Sequence, residues 1–473
     1  MYNSVCRLSE IRVRNFKNVR NGSVVLDNAS NPYSSSILGI YGQNGSGKTA
    51  LIEVLAMLSY IMKGEEVPRH YAELINVDAS EASVEFSFFM NSEKGTYDAA
   101  YTVHFRKSSE GMEIFDPDDS EKKGFFEIYR ETLSASFMSE KASMRKKKLI
   151  DTGTEGIIIS SSRSEQFLGS ISGDRKLDLL VAKKLIRLHS RSYLFSSSFR
   201  DAVLEGKEKK SADPEYGLWT EMLDRLRYFG RNELFIVGTV HSGLISMNRL
   251  PLMYSYMEEG ECRSGMIELP LSGPGNVPSA VFGTVEKVIR SMNTVLEALV
   301  PGLNVTIRNH GGVTMDDGSS GVRMELLSAK NSREIPLSNE SEGIKKIISV
   351  LQLLVAVFRN PSVTVAVDEI DSGVFEYLLG EKVSNIAEQG RGQLIFTSHN
   401  LRPLETISKN SIIFTTVNPD NRYIRMANVK SNNNLRNFYF RDIVMCEQKE
   451  PLYDYVNNAE IMVAFIEAGE ESA

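Results

Sequence analysis

Cysteine is scarce in this chain. There are three in 473 residues, Cys6, Cys262 and Cys446, far apart and with neither CxxC nor His/Cys ligand spacing. That argues against a disulfide framework and a zinc site, and it points to a reducing, cytoplasmic setting. Long hydrophobic runs are missing too. The most apolar stretch, IISVLQLLVAVF at residues 347–358, is too short to span a bilayer and contains Gln352. The opening MYNSVCRLSE lacks the basic-then-apolar pattern of a secretory signal, so no membrane role is expected. Positive charge is not in excess: Lys+Arg 54 against Asp+Glu 61 gives −7. The protein as a whole is therefore not a basic nucleic-acid coat, although a local basic patch stays open. Internal repeats, low-complexity segments and an HNH-like His/Asn/His cluster are also absent. A chain of this length is expected to bury a large core in two or more lobes.

What is present begins with GIYGQNGSGKTALIEVLAMLSY at residues 39–60. Gly42, Gln43, Asn44, Gly45, Ser46, Gly47, Lys48 and Thr49 fit G-x-x-x-x-G-K-[ST], between an apolar strand at residues 36–41 and an apolar-periodic helix at 50–62. Such glycines let backbone N–H groups turn inward around phosphates, and the helix N-terminus adds partial positive charge. Lys48 is expected to reach the β and γ phosphates and Thr49 to hold Mg²⁺. An ordinary glycine-rich turn with a surface lysine fits this spacing and context poorly.

Three further stretches lie towards the other end. SVTVAVDEIDSG at residues 362–373 reads as a strand buried in a parallel sheet, with two carboxylates at its C-terminal end. Asp368 is expected to hold the metal through water, and Glu369 to orient and deprotonate the attacking water. Without the phosphate loop the same pair would read as a solvated turn. GQLIFTSHN at residues 392–400 is another apolar strand, and its tip carries His399, placed to contact the γ-phosphate or its attacking water. LSNESEGIKKIISVLQLLVAVF at residues 337–358 opens a long apolar helix with serines and Gly343. Its start is either an ordinary N-cap at Ser341 or a site where an anion approaches closely.

Phosphate loop, Ser-rich glycine turn with helix, strand-DE and strand-SHN stand in the order of ABC-class ATPases. The chain resembles their soluble branch of RecF-like, SMC-like and OLD-like proteins, and looks closest to the OLD-like AAA ATPases of bacterial defence systems. Asn15-Phe16-Lys17-Asn18 matches that branch's N-F-K-s turn. The resemblance covers roughly residues 7–62 and 335–418. It implies that ATP with Mg²⁺ is bound, that two heads face each other in a homodimer or higher oligomer, and that Ser341 and Gly343 touch the γ-phosphate held by the partner. Two departures stand out: SNESEG is a degenerate version of the transporter signature LSGGQ, and the position seven residues after Asp368, often Asp or His in the family, is Phe375. No Q-loop glutamine stands out between residues 63 and 130, and no base-specific motif separates ATP from GTP.

About 320 residues separate Lys48 from Asp368, more than a compact NTPase core needs, and they lack the sustained heptads of an SMC-type coiled coil. The expected fold is α/β: an ABC-type P-loop ATPase core, a mixed sheet with flanking helices plus an antiparallel β subdomain, with an inserted, largely helical lobe. The expected division is 1–135 for the N-terminal half of the core, 136–300 for the insert, 301–430 for the C-terminal half and 431–473 for a tail. Residues 82–107 read as a hairpin of the antiparallel sheet, 165–229 as helical, and the segment after Pro301 as a strand returning to the core. Basic residues gather at Lys141, in the RKKK run at 145–148, and at Arg163, Arg175, Lys176, Lys183, Lys184, Arg187, Arg191 and Arg200. They form either a phosphate-tracking surface for DNA or RNA or, as the interspersed acids favour, a solvated face.

The leading expectation is an Mg²⁺-dependent ATPase that dimerises through ATP. It would serve as the sensor of an antiphage defence system that acts with a separate effector. About 74 residues follow His399, too few for the Toprim nuclease that OLD-like proteins often carry. The alternative is a RecF-like ATP-gated DNA clamp. The nucleotide-binding subunit of a membrane transporter fits the motif order but not the insertion.

Overall fold

The computed structural model describes residues 4–26, 31–108, 125–140, 143–160, 173–209, 214–259, 261–330, 333–372, 376–427, 434–445, 448–454 and 458–470. Phe375, Cys446, Lys141 and Arg163 lie outside the described residues.

The chain opens with β1 (Ser4–Phe16) and β2 (Val19–Val25), then β3 (Ser36–Tyr41) and α1 (Lys48–Lys63). α1 starts on left-handed Gly47 and ends on left-handed Gly64, whose φ is 73°, the glycine stop expected of a helix C-terminus. β4 (Glu81–Ser92) and β5 (Gly95–Ser108) form the hairpin expected at 82–107, with Ser92 opposite Gly95. Burial alternates along β4, as in a strand with one face on a core. β6 (Phe125–Met138) and β7 (Ser143–Asp151) complete a six-stranded antiparallel sheet of order β2-β1-β4-β5-β6-β7. Helices α2 (Asp174–Leu188), α3 (Ser197–Lys209) and α4 (Pro214–Asn232) follow. Leu179, Phe199, Trp219, Leu226 and Phe229 from these helices share one core with Phe86, Phe88 and Tyr101 of the antiparallel sheet and with α1.

β8 (Leu234–Val237) comes next, then α5 (Thr239–Ser246), the hairpin β9 (Arg249–Glu258) and β10 (Glu261–Pro270), β11 (Gly275–Pro278) and α6 (Ser279–Leu299). β12 (Leu303–Thr314), β13 (Ser320–Lys330) and β14 (Arg333–Pro336) join β11 in a small antiparallel sheet. The strand after Pro301 therefore does not enter the parallel sheet. The chain then runs through α7 (Glu342–Arg359), β15 (Thr364–Val367), α8 (Glu376–Gln389), β16 (Gln393–Thr397), α9 (Pro403–Thr406), β17 (Ile412–Thr415) and β18 (Tyr423–Ile424). It closes with α10 (Leu435–Met445), which packs Leu435 and Tyr439 on the core, and the exposed α11 (Asn458–Glu470).

The central sheet has the order β18-β17-β3-β16-β15-β8, with β18 antiparallel and the rest parallel. Its strands are buried on both faces, and side chains alternate between two cores. Leu38, Ile40, Ala366, Ile395 and Ile413 face α1 and the antiparallel sheet, while Ile37, Tyr41, Val365, Val367, Phe396 and Phe414 face α7, α8 and α10. β8 is a core strand, paired in parallel with β15, although it falls inside the span read as a helical insert. At four residues directly after a helix, its sequence carries too little periodicity to be told from the helix itself. The β9–β10 hairpin likewise gives that span more strand than its expected helical character.

One ion pair in the antiparallel sheet gives a pH test of this architecture. Arg130 donates from Nε and Nη2 to the two Asp151 carboxylate oxygens at 3.0 and 2.7 Å. Burial pushes the Asp151 carboxyl up, but the Arg130 fork, the Gly153 N–H and Lys148 outweigh it and hold the pKa at about 2, against 3.8 in the open chain. Between those values the unfolded chain binds more protons, so this pair's stabilisation is complete above the unfolded value and is lost as pH falls through the folded one. Asp151→Asn should cost about 1.5–3 kcal/mol near neutral pH. In thermal melts the deficit should shrink below pH 3.8 and vanish only below pH 2; a deficit that persists unchanged in acid would contradict the pairing.

Candidate nucleotide site

The C-terminal ends of β3, β16 and β15 lie side by side, where open α/β sheets bind ligands. An open cleft of about 520 Å³ sits there, lined by Lys17, Asn18, Asn44, Gly45, Gly47, Lys48, Thr49, Ala50, Asp368, Glu369, Thr397 and His399. The loop after β3 is built by its glycines: Gly42, Gly45 and Gly47 have φ of 150°, 75° and 99°. A Cβ on Gly42 would stand 1.8 Å from Thr415 Oγ1, so only glycine fits against β17. Lys48, 7% exposed, donates to the carbonyls of Gly42 and Gln43 at 2.8 and 3.0 Å. Burial lowers its pKa, while Asp368, Glu369 and Asp371 favour its charged form. Ser46 Oγ donates to Gln43 O at 2.5 Å and pairs with Thr415 Oγ1. Gln43 turns outward and accepts from the Asp454 N–H at 3.0 Å.

Asp368, 5% exposed, closes β15 and accepts from Thr397 Oγ1 at 2.5 Å. The Glu369 N–H donates to that same hydroxyl oxygen at 2.7 Å, and Glu369 has φ 49°, uncommon away from glycine. Its carbonyl accepts from Lys346 Nζ at 2.5 Å. Asp371 Oδ2 accepts the backbone N–H groups of His399 and Asn400 at 3.0 and 2.9 Å, which ties the acidic turn to the tip of β16 and sets His399 at the cleft.

Lys48, Thr49, Asp368, Glu369 and His399 therefore meet around one opening. Ser341 and Gly343 do not line it. Ser341 caps α7 by accepting from the Ile344 N–H at 3.3 Å and is exposed, whereas Gly343 is buried. The N-cap expected as one of two readings is thus present in the isolated chain.

The cleft suits a nucleoside triphosphate. α1 has no side-chain cap, so its first-turn N–H groups are free for an anion, and the loop adds a buried ammonium. The Thr49 hydroxyl and Asp368 carboxylate are hard oxygen donors, as Mg²⁺ prefers, and phosphates and waters would complete its shell. Two contributors, Arg422 and Tyr423, carry no motif signal in the sequence, and they act beside Asn18 of the N-F-K-s turn. Tyr423 donates to Gly47 O at 2.9 Å, Arg422 to Asn18 O at 2.6 Å, and Asn18 to Gly45 O. The first two braces depend on β17 lying beside β3 and β18 beside β17, and the third on the turn between β1 and β2. Thr397, next to Ser398-His399, could have been found as a hydroxyl at a strand tip.

A protein-family model described as an AAA domain matches residues 10–221. No curated protein matches. Among solved structures, the SMC head bound to the C-winged helix domain of ScpA is 14% identical, with 89% of this chain and 97% of that chain covered and a TM-score of 0.38. The SMC head domain from Thermotoga maritima is 13% identical over 89% and 99% of the chains at 0.34, and RecF–ATP of the RecFOR pathway is 15% identical over 83% and 92% at 0.33. The strand order and the cleft give the chain a mixed α/β fold, a largely parallel sheet with flanking helices beside an antiparallel β sheet, and the AAA-domain match takes in the phosphate loop.

Proposed function

We propose that this chain is an Mg²⁺-dependent ATPase that pairs head to head around ATP and works as a switch. The observation that carries the reading is the convergence of Lys48, Thr49, Asp368, Glu369 and His399, from opposite ends of the chain, on one cleft. Lys48 and the loop N–H groups bind and orient the phosphates, Asp368 and Thr49 hold the metal, Glu369 takes the proton of the attacking water, and His399 senses the γ-phosphate. Mg²⁺, when bound, supplies neutralisation of the phosphate charge. The exposed Ser341 turn lies outside its own cleft. On this reading it caps the nucleotide of a second copy with Gly343, so ATP stabilises the pair and hydrolysis releases it.

The role as the sensor of an antiphage defence system with a separate effector rests on the resemblance to OLD-like proteins alone. The RecF-like DNA clamp has less support, because part of the basic surface it would use is neutralised. Lys147, Lys148, Arg175 and Arg187 pair with Glu215, Asp151, Glu205 and Glu127 at 2.5–3.2 Å. Lys183 is buried on the carbonyls of Thr154 and Ile157.

Mass in solution, with and without ATP and Mg²⁺, tests the switch, and DNA added in parallel tests the clamp. An ATP-dependent increase supports facing heads; ATP-dependent DNA binding with a steep salt slope would favour the clamp. Ser341→Arg should abolish the mass increase while changing nucleotide affinity by no more than about twofold, since it removes a contact made only across the pair. An unaltered mass increase in Ser341→Arg would remove Ser341 from the interface.

A further inference from the structure

The second turn of α7 carries two adjacent lysines, Lys345 and Lys346, each 6% exposed. A buried ammonium needs a reason, since desolvation of a charge is costly unless it is paired. For Lys346 the reason is the acidic turn: its Nζ donates to the carbonyl of Glu369 at 2.5 Å. Burial lowers its pKa, while Glu369, Asp371 and Asp368 favour the charged form. The contact falls on a residue with left-handed φ of 49°, a conformation that persists only where its surroundings impose it. Thr397 Oγ1 holds the N–H side of Glu369 from β16 at 2.7 Å, and Lys346 holds the carbonyl side from α7. The peptide units on both sides of the Glu369 side chain are thereby fixed by groups from two different elements.

Lys346 also stands one helical turn beyond Gly343, on the helix that Ser341 caps. We propose that Lys346 is a positioning residue for Glu369, holding the acidic turn so that the carboxylate is aimed at the attacking water. Through α7 it links the turn that meets a partner's nucleotide to the chain's own catalytic carboxylate. The proposal rests on the reading of the site given above. A charged donor suits the task because charge-assisted hydrogen bonds are shorter and roughly twice as strong as neutral ones. It also accounts for a cation that is buried and does not line the cleft.

The test compares wild type, Lys346→Met, Lys346→Arg and Glu369→Gln in ATP turnover, in binding of a fluorescent ATP analogue, and in ATP-dependent mass. Lys346→Met should lower kcat roughly 10- to 100-fold, the scale of a small misplacement at a reacting centre. Analogue affinity should stay within about threefold, and the mass increase should remain. Lys346→Arg, which keeps cation and donor, should recover part of the rate. A wild-type kcat in Lys346→Met overturns the proposal, and so does a loss of affinity equal to the loss of rate, which marks a structural role. If Lys346→Met does not fold, Lys346→Gln carries the same comparison. If Glu369→Gln is inactive while Lys346→Met is normal, the proposal alone falls. If Glu369→Gln turns over at the wild-type rate, the reading of the site falls and the proposal with it.

Discussion

Glu369→Gln should lower ATP turnover by about 10²- to 10⁴-fold, the range contributed by a positioned general base. The substitution keeps the size of the side chain and removes its basicity. Glu369 is exposed at the cleft, and its backbone is held by Thr397 and Lys346, so the loss should come without a loss of fold. Nucleotide binding should survive, because Lys48, the loop and Asp368 are untouched. ATP that binds and is not hydrolysed should then hold the paired state, and the variant should show a larger and longer-lived mass increase than wild type. Light scattering with a parallel phosphate-release assay decides the matter. Turnover at the wild-type rate would sink the catalytic assignment, and inactivity with no change in mass would leave a hydrolase that does not pair through ATP.

Lys48→Met should weaken ATP binding by about 3 kcal/mol or more, on the order of 100-fold in Kd, through loss of charge-assisted bonds to phosphate. Its effect on the nucleotide-free fold should be small. Two hydrogen bonds to loop carbonyls disappear, but so does a buried cation whose pKa burial has already lowered. The melting temperature without nucleotide should therefore stay close to wild type. Saturating ATP should raise it in wild type and not in the variant, as mass action requires of a ligand that binds only the native state. A large fall in nucleotide-free stability would instead mark Lys48 as a structural lysine. Isothermal titration beside thermal melts separates the two outcomes.

The parts of the site that read out directly from the chain are those in which function is local. Gly42, Gly45, Gly47 and Lys48 lie within seven consecutive positions, so the loop they form is set by backbone freedom and spacing between a buried strand and an amphipathic helix. Asp368 and Glu369 follow a strand buried on both faces, and that pattern, read beside the phosphate loop, sends them to the ligand-binding end of a parallel sheet. The β4–β5 hairpin was legible for the same kind of reason, from alternation about a glycine turn.

The rest came from strand neighbours that no short window specifies. β17 beside β3 brings Thr415 against Gly42 and, with β18, Tyr423 to Gly47. β8 joins β15 from within the span read as an insert. α7 packs so that Lys346 reaches the Glu369 carbonyl. Each of these joins residues far apart in the chain, whose proximity depends on the order of strands in the sheet and on how helices fill its faces. Periodicity and spacing specify the chemistry within each segment. Which segments become neighbours is settled by packing of the whole core, because burying both faces of the sheet is a property of all its strands and helices together.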